Sequence, residues 1–156
     1  MEESMTINFS NLEKLSKKIN EASDDLTKAL TSINEKLNSL NLGIETWLEA
    51  GWCLKTDYGQ ENEEGYHVET RWLLGYGKSP QGKWSLLVRA EDWLMPANED
   101  LEGRFTGSTE YPLLSCPRDL RVAAIQYIPQ LVEQLEKKSE DFTQAVSKAK
   151  ELADKL

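Results

Sequence analysis

Histidine is nearly missing from this chain: His67 stands alone among 156 residues. Without a second histidine or a spaced set of cysteines and carboxylates, a zinc site has no ligand set. Only two cysteines are present, Cys53 and Cys116, far apart in sequence. One disulfide is allowed and none is required, so the economical reading is two reduced thiols in a cytoplasmic protein. No apolar run approaches the roughly 20 residues that a helix needs to cross a bilayer, so no membrane partner is expected. The start, MEESMTINFSNLEKL, lacks a basic stretch followed by an apolar one, so no secretory signal is expected. Phosphate-cradling glycines are lacking too. GYGKSPQGK holds glycine and lysine, but not in the G-x-x-x-x-G-K-[ST] spacing, and it reads as a hairpin turn. The acid cluster ENEEG has none of the ordered oxygen positions of a calcium loop. No cofactor or metal is expected.

Catalytic groups are equally sparse. A Cys-His pair would need Cys53 or Cys116 beside His67. Neighbouring strands could bring Cys53 close, but no orienting group or oxyanion site accompanies it. Cys116, just before Pro117, stands where a helix N-terminus would lower a thiol's pKa; a small residue in a tight helix entry is the favoured reading. With no acid, base and nucleophile assembled, the chain is expected not to be an enzyme.

Charge narrows the partners. The net charge is −9. Residues 1–41 contribute −2, residues 42–116 contribute −7 and residues 117–156 contribute nothing. A phosphate backbone prefers a basic partner, so no nucleic acid is expected. The acidity serves solubility, or would suit an acidic inhibitor of a basic protein.

What the chain does have is periodicity. From Ser10 to Asn41, the apolar residues Leu12, Leu15, Ile19, Ala22, Leu26, Leu30, Ile33, Leu37 and Leu40 recur every three or four positions. That spacing predicts a helix over 8–42 with a near-heptad stripe. Ser10 and Glu13 read as a capping box and Gly43 as a left-handed C-terminal cap. A second stripe runs through Leu120, Ala124, Tyr127, Ile128, Leu131, Leu135, Phe142, Val146, Ala149, Leu152 and Leu156. It predicts a helix over 117–156, opened by Pro117 and kinked near Pro129, where a proline removes a backbone bond. The two stripes are expected to cover each other as an antiparallel, coiled-coil-like pair.

Between the helices, residues 44–111 read as an antiparallel meander of three or four strands: Ile44–Thr56, Tyr66–Gly77, Lys83–Leu94 and a weaker Gly103–Tyr111. The chain is therefore expected to be one α+β domain. With Pro80-Gln81 at the centre of the turn, paired residue numbers sum to 161. One face then carries Arg71, Leu73, Gly75, Trp84, Leu86, Val88 and Ala90, assigned to the helices. The other carries Thr70, Trp72, Leu74, Tyr76, Ser85, Leu87, Arg89 and Glu91. This second face is amphipathic, and something must cover it.

All five tryptophans, Trp47, Trp52, Trp72, Trp84 and Trp93, fall in this middle third. Tryptophan and arginine dominate binding hot spots. The candidates for contact are therefore Trp72, Leu74, Tyr76, Leu87, Arg89, Arg71 and Trp93. Arg118 and Arg121, one turn apart in RDLR, suit ion pairs with the acidic middle or a small anion. The expectation is a non-catalytic protein–protein interaction or adaptor protein that self-associates, a dimer foremost, through its helix stripes and its tryptophan-rich sheet face. The alternative is a small-molecule or nucleotide binder built on Trp72, Tyr76, Arg89 and Arg71.

Overall fold

A computed structural model describes residues 5–156; the first four residues of the N-terminal stretch read above lie outside the described part. The chain runs through helix α1 (Ser10–Ser39), strands β1 (Thr46–Trp47), β2 (Lys55–Tyr58), β3 (Tyr66–Lys78), β4 (Trp84–Pro96) and β5 (Arg104–Pro112), then helices α2 (Arg118–Ile125) and α3 (Ile128–Asp154). All strand pairs are antiparallel. β3 lies between β4 and an edge shared by β1 and β2, and β5 forms the other edge. This is the α+β architecture expected, with helices at both ends of the chain flanking an antiparallel sheet.

The expected first strand, Ile44–Thr56, is two short strands separated by a single helical turn at Ala50–Trp52. The helix α1 begins with the Asn8 carboxamide accepting the Ser10 N–H at 2.9 Å, in place of the Ser10–Glu13 box. It ends on Asn41, whose φ of 51° takes the left-handed position just past the helix, with Gly43 left-handed two residues later. The last helix is broken where a kink was expected. Its hydrogen-bond ladder lapses at Gln126 and Tyr127, and Pro129 sits in the first turn of α3. A proline there leaves the Ile125 carbonyl without its donor, and the first turn of a new helix tolerates that loss.

The β3–β4 turn resets the faces of the sheet. Pro80, Gln81 and Gly82 form a three-residue loop between Ser79 and Lys83. The Gly82 N–H donates to the Ser79 carbonyl, and Gly82 takes a φ of 82°. A type I turn followed by a left-handed glycine adds one residue to the two-residue loop anticipated. Paired numbers therefore sum to 162: Tyr76 faces Leu86, Leu74 faces Val88 and Trp72 faces Ala90. Because side chains alternate with a period of two, this one-residue change moves half of the hairpin to the opposite face.

The helices cover the even-numbered face. Leu30 and Leu37 of α1, Leu120 and Ala124 of α2, and Ile128, Leu131 and Leu135 of α3 pack with Leu48, Leu74, Tyr76, Leu86 and Val88. Polar groups fix the layer. The Tyr76 hydroxyl donates to Asn38 at 2.6 Å, and the Asn34 carboxamide accepts the Leu86 N–H at 2.7 Å, where β5 has ended.

The helices do not form the antiparallel stripe-to-stripe pair anticipated. Arg118 reaches Asn20 and Ser23, Arg121 reaches Thr27, and Leu135 lies beside Leu37. Contacts thus advance in the same sense along α1 and along α2–α3. Each helix meets the sheet over part of its length only and runs past it, α1 at its N-terminal end and α3 at its C-terminal end.

Candidate interaction surfaces

The new register divides the residues singled out in the sequence. Trp72, Leu74 and Tyr76 stand on the helix-covered face, and Leu74 and Tyr76 are core. Leu87, Arg89, Arg71 and Trp93 stand together on the odd-numbered face, on which the described helices do not pack. Arg118 and Arg121 stand on neither. Their guanidinium groups clasp α2 to polar side chains of α1, and no acid of the sheet is among their described partners.

The open face is apolar beneath and polar above. Leu73 is 5% exposed and Leu87 is 0% exposed, although no described helix lies over them. The cover is a layer of long side chains lying flat. β1 places Trp47 opposite Gly75, and Trp47 lies across it so closely that a Cβ at Gly75 would overlap the indole ring. Glu45 does the same over Gly77 and accepts the Trp47 indole N–H at 2.8 Å. Arg89 lies 4.0 Å from the centre of the Trp47 ring, and its guanidinium donates to Glu110 of β5 at 2.9 Å. A second assembly repeats the scheme. Arg71 lies 4.8 Å from the centre of Trp93, is ion-paired to Glu69 at 2.7 Å, and Phe105 meets Trp93 edge-on.

These stacked cations have a physical logic. Arginine and tryptophan bury their flat or aliphatic parts while keeping polar atoms at the water boundary. The answer to what covers the second face is therefore the face's own side chains. A layer of tryptophan and arginine with an exposed aromatic rim (Tyr58 and Phe105) is also the composition favoured in binding hot spots. Sequence reasoning missed Trp47, Glu69, Glu110 and Phe105 here. The available signal was Gly75 and Gly77, since a glycine inside a strand marks a close approach by another group.

The second surface is the part of each helix that leaves the sheet. Ser10–Ala22 of α1 contains no buried residue, and neither does Glu140–Asp154 of α3. Yet the apolar stripes continue through both. Leu12, Leu15, Ile19, Phe142, Val146 and Leu152 are between 42% and 65% exposed.

Small-molecule chemistry finds less support in the geometry. Two recesses stand out, an open groove of about 460 Å³ between Trp52 and the Gln130–Lys137 side of α3, and one of about 470 Å³ bounded by Asn34, Asn38, Tyr76 and Trp84. Of the four residues proposed for a ligand, only Tyr76 lines either; Arg71 and Arg89 are both neutralised by glutamates. Cys53 and His67 do not meet. The Cys53 thiol lies by the Lys55 and Trp72 carbonyls, whereas His67 lies past the far end of β2, near Tyr58. Burial pushes the Cys116 thiol pKa up, opposite to what a reactive helix-terminal thiol requires. No described helix is long and apolar enough to cross a membrane. The chain matches no protein-family model, no curated protein and no solved structure.

Proposed function

We propose that this protein is a non-catalytic interaction protein, an adaptor that associates with itself through its helical stripes and makes its specific contacts through the tryptophan–arginine face of the sheet. The observation that carries this reading is the pair of apolar stripes running beyond the sheet with no partner among the described residues. Fully burying a Leu, Ile, Val or Phe side chain stabilises by ~1.5–3 kcal/mol. Six such chains, each roughly half exposed, leave on the order of 6 kcal/mol to be gained by whatever covers them. Association itself costs ~4–15 kcal/mol, so self-association through these stripes is weak and rises with concentration.

The net charge of −9 and its concentration around the sheet favour a protein partner over nucleic acid. A cytoplasmic location, where the two thiols stay reduced, fits this role. Size-exclusion chromatography with light scattering over a concentration series tests it: the mass is expected to rise above that of one chain, 17.8 kDa. A constant single-chain mass up to the solubility limit rejects self-association.

A further inference from the structure

Resting on that reading of self-association, we infer that the bare stripe of α1 is covered by the bare stripe of α3 from a second copy, so that molecules join head to tail. Three observations lead there. The first is continuity. Within one molecule α1 packs along α2 in the same sense, from Asn20 beside Arg118 to Thr27 beside Arg121, and further on Leu37 of α1 and Leu135 of α3 line one open groove. α1 stops at Ser39, close to where α3 passes at Ser139. Beyond that point α3 runs on as Glu140–Asp154, exposed and with no described residue burying it. At the other end, Ser10–Ile19 of α1 runs on before the first contact with α2, which is made at Asn20. A second copy displaced along this axis brings its α1 beside the free end of the first copy's α3, in the same sense in which α1 and α3 already border one groove.

The second observation is length. At 1.5 Å per residue, Ser10–Ala22 spans about 20 Å and Glu140–Asp154 about 22 Å, so each stripe covers the other nearly end to end. The third is charge. Ser10–Ala22 carries three lysines and two glutamates; Glu140–Asp154 carries four acids and two lysines. The segments therefore have opposite net sign, +1 against −2, whereas pairing like with like sets equal signs side by side. Because the two stripes leave from opposite ends, the contact uses different surfaces on each copy. It does not close on itself, and it extends as a row.

Mixing two variants tests the inference. Leu15→Glu with Ile19→Glu disables the α1 stripe; Phe142→Glu with Val146→Glu disables the α3 stripe. In light scattering on full chains, wild type is expected to grow past a dimer. Each variant alone stays monomeric, and an equimolar mixture forms a 1:1 dimer and nothing larger, because one intact stripe of each kind remains. Either variant dimerising alone, or a mixture that stays monomeric while wild type associates, overturns head-to-tail pairing and leaves self-association standing. A wild type monomeric throughout rejects both. Melting temperature and tryptophan emission confirm that each variant folds. Should the glutamates prevent that, the gentler pair Leu15→Ser and Phe142→Ser repeats the mixing, with at least a tenfold weakening of growth expected for each alone.

Discussion

Gly75 is the residue on which the open face turns. Its missing side chain is the space that Trp47 occupies, and Trp47 in turn supports Arg89 above Leu87. Gly75→Ala is expected to lift the indole, to cost roughly 1–3 kcal/mol as an overpacked site, and to shift tryptophan emission towards that of exposed indole. Unfolding in urea with emission as the probe measures both. On the opposite face, Asn34→Leu removes the carboxamide that accepts the Leu86 N–H and is expected to cost about 1–3 kcal/mol, the penalty for an unpaired buried donor. The Lys55–Asp119 pair, 3.2 Å apart, ties β2 to α2. Their mutual hydrogen bond holds the Asp119 carboxyl below its ordinary 3.8 and the Lys55 ammonium above its ordinary 10.5. The contribution of the bridge is therefore present between those two values. It is lost as pH falls through the lowered pKa of Asp119 or rises through the raised pKa of Lys55. Both side chains are largely exposed to water, so Asp119→Asn is expected to cost only ~0.2–1 kcal/mol at neutral pH. Melting temperatures of the two proteins are expected to converge once the pH falls below the lowered pKa of Asp119.

Among the elements, the two long helices and the β3–β4 hairpin were legible in sequence because their signals are local and repeated. Nine apolar positions at three- and four-residue spacing fix the course of α1 whatever lies beside it. Which face of the hairpin meets the helices was not legible in the same way. It depends on whether the turn has two residues or three, and Gly82 in its left-handed conformation decides for three. The placement of Trp47 over Gly75 joins β1 to β3 across 28 positions, and no window of sequence contains it. The stripes were readable as apolar, but not which half of each lacks a partner, because that depends on where the sheet ends. The half of α1 beyond the sheet is a short helix in its own right, and isolated helices under ~12–15 residues are marginal in water. In dilute protein, amide exchange is expected to be faster over Ser10–Ala22 and Glu140–Asp154 than over Leu26–Leu37. If the stripes are covered on association, concentrating the protein slows exchange in those two segments and leaves Leu26–Leu37 unchanged.

At the scale of the whole molecule, helices that run in the same sense and overshoot the sheet at opposite ends make an elongated particle. From Ser10 to Ser39 is about 45 Å, and the overshoot of α3 adds about 22 Å, so small-angle scattering is expected to give a maximum dimension on the order of 65 Å. A radius of gyration clearly above the ~15 Å of a compact chain of this length is expected as well. All five tryptophans belong to the sheet and the turn beside it, and neither overshooting segment contains one. Two optical signals consequently watch different parts of one particle: emission sees only the centre, while far-ultraviolet ellipticity also reports the helical ends. On warming a dilute sample, ellipticity should begin to fall at temperatures where emission is still flat, so that fraying at the tips is separated from collapse of the middle without any label being attached.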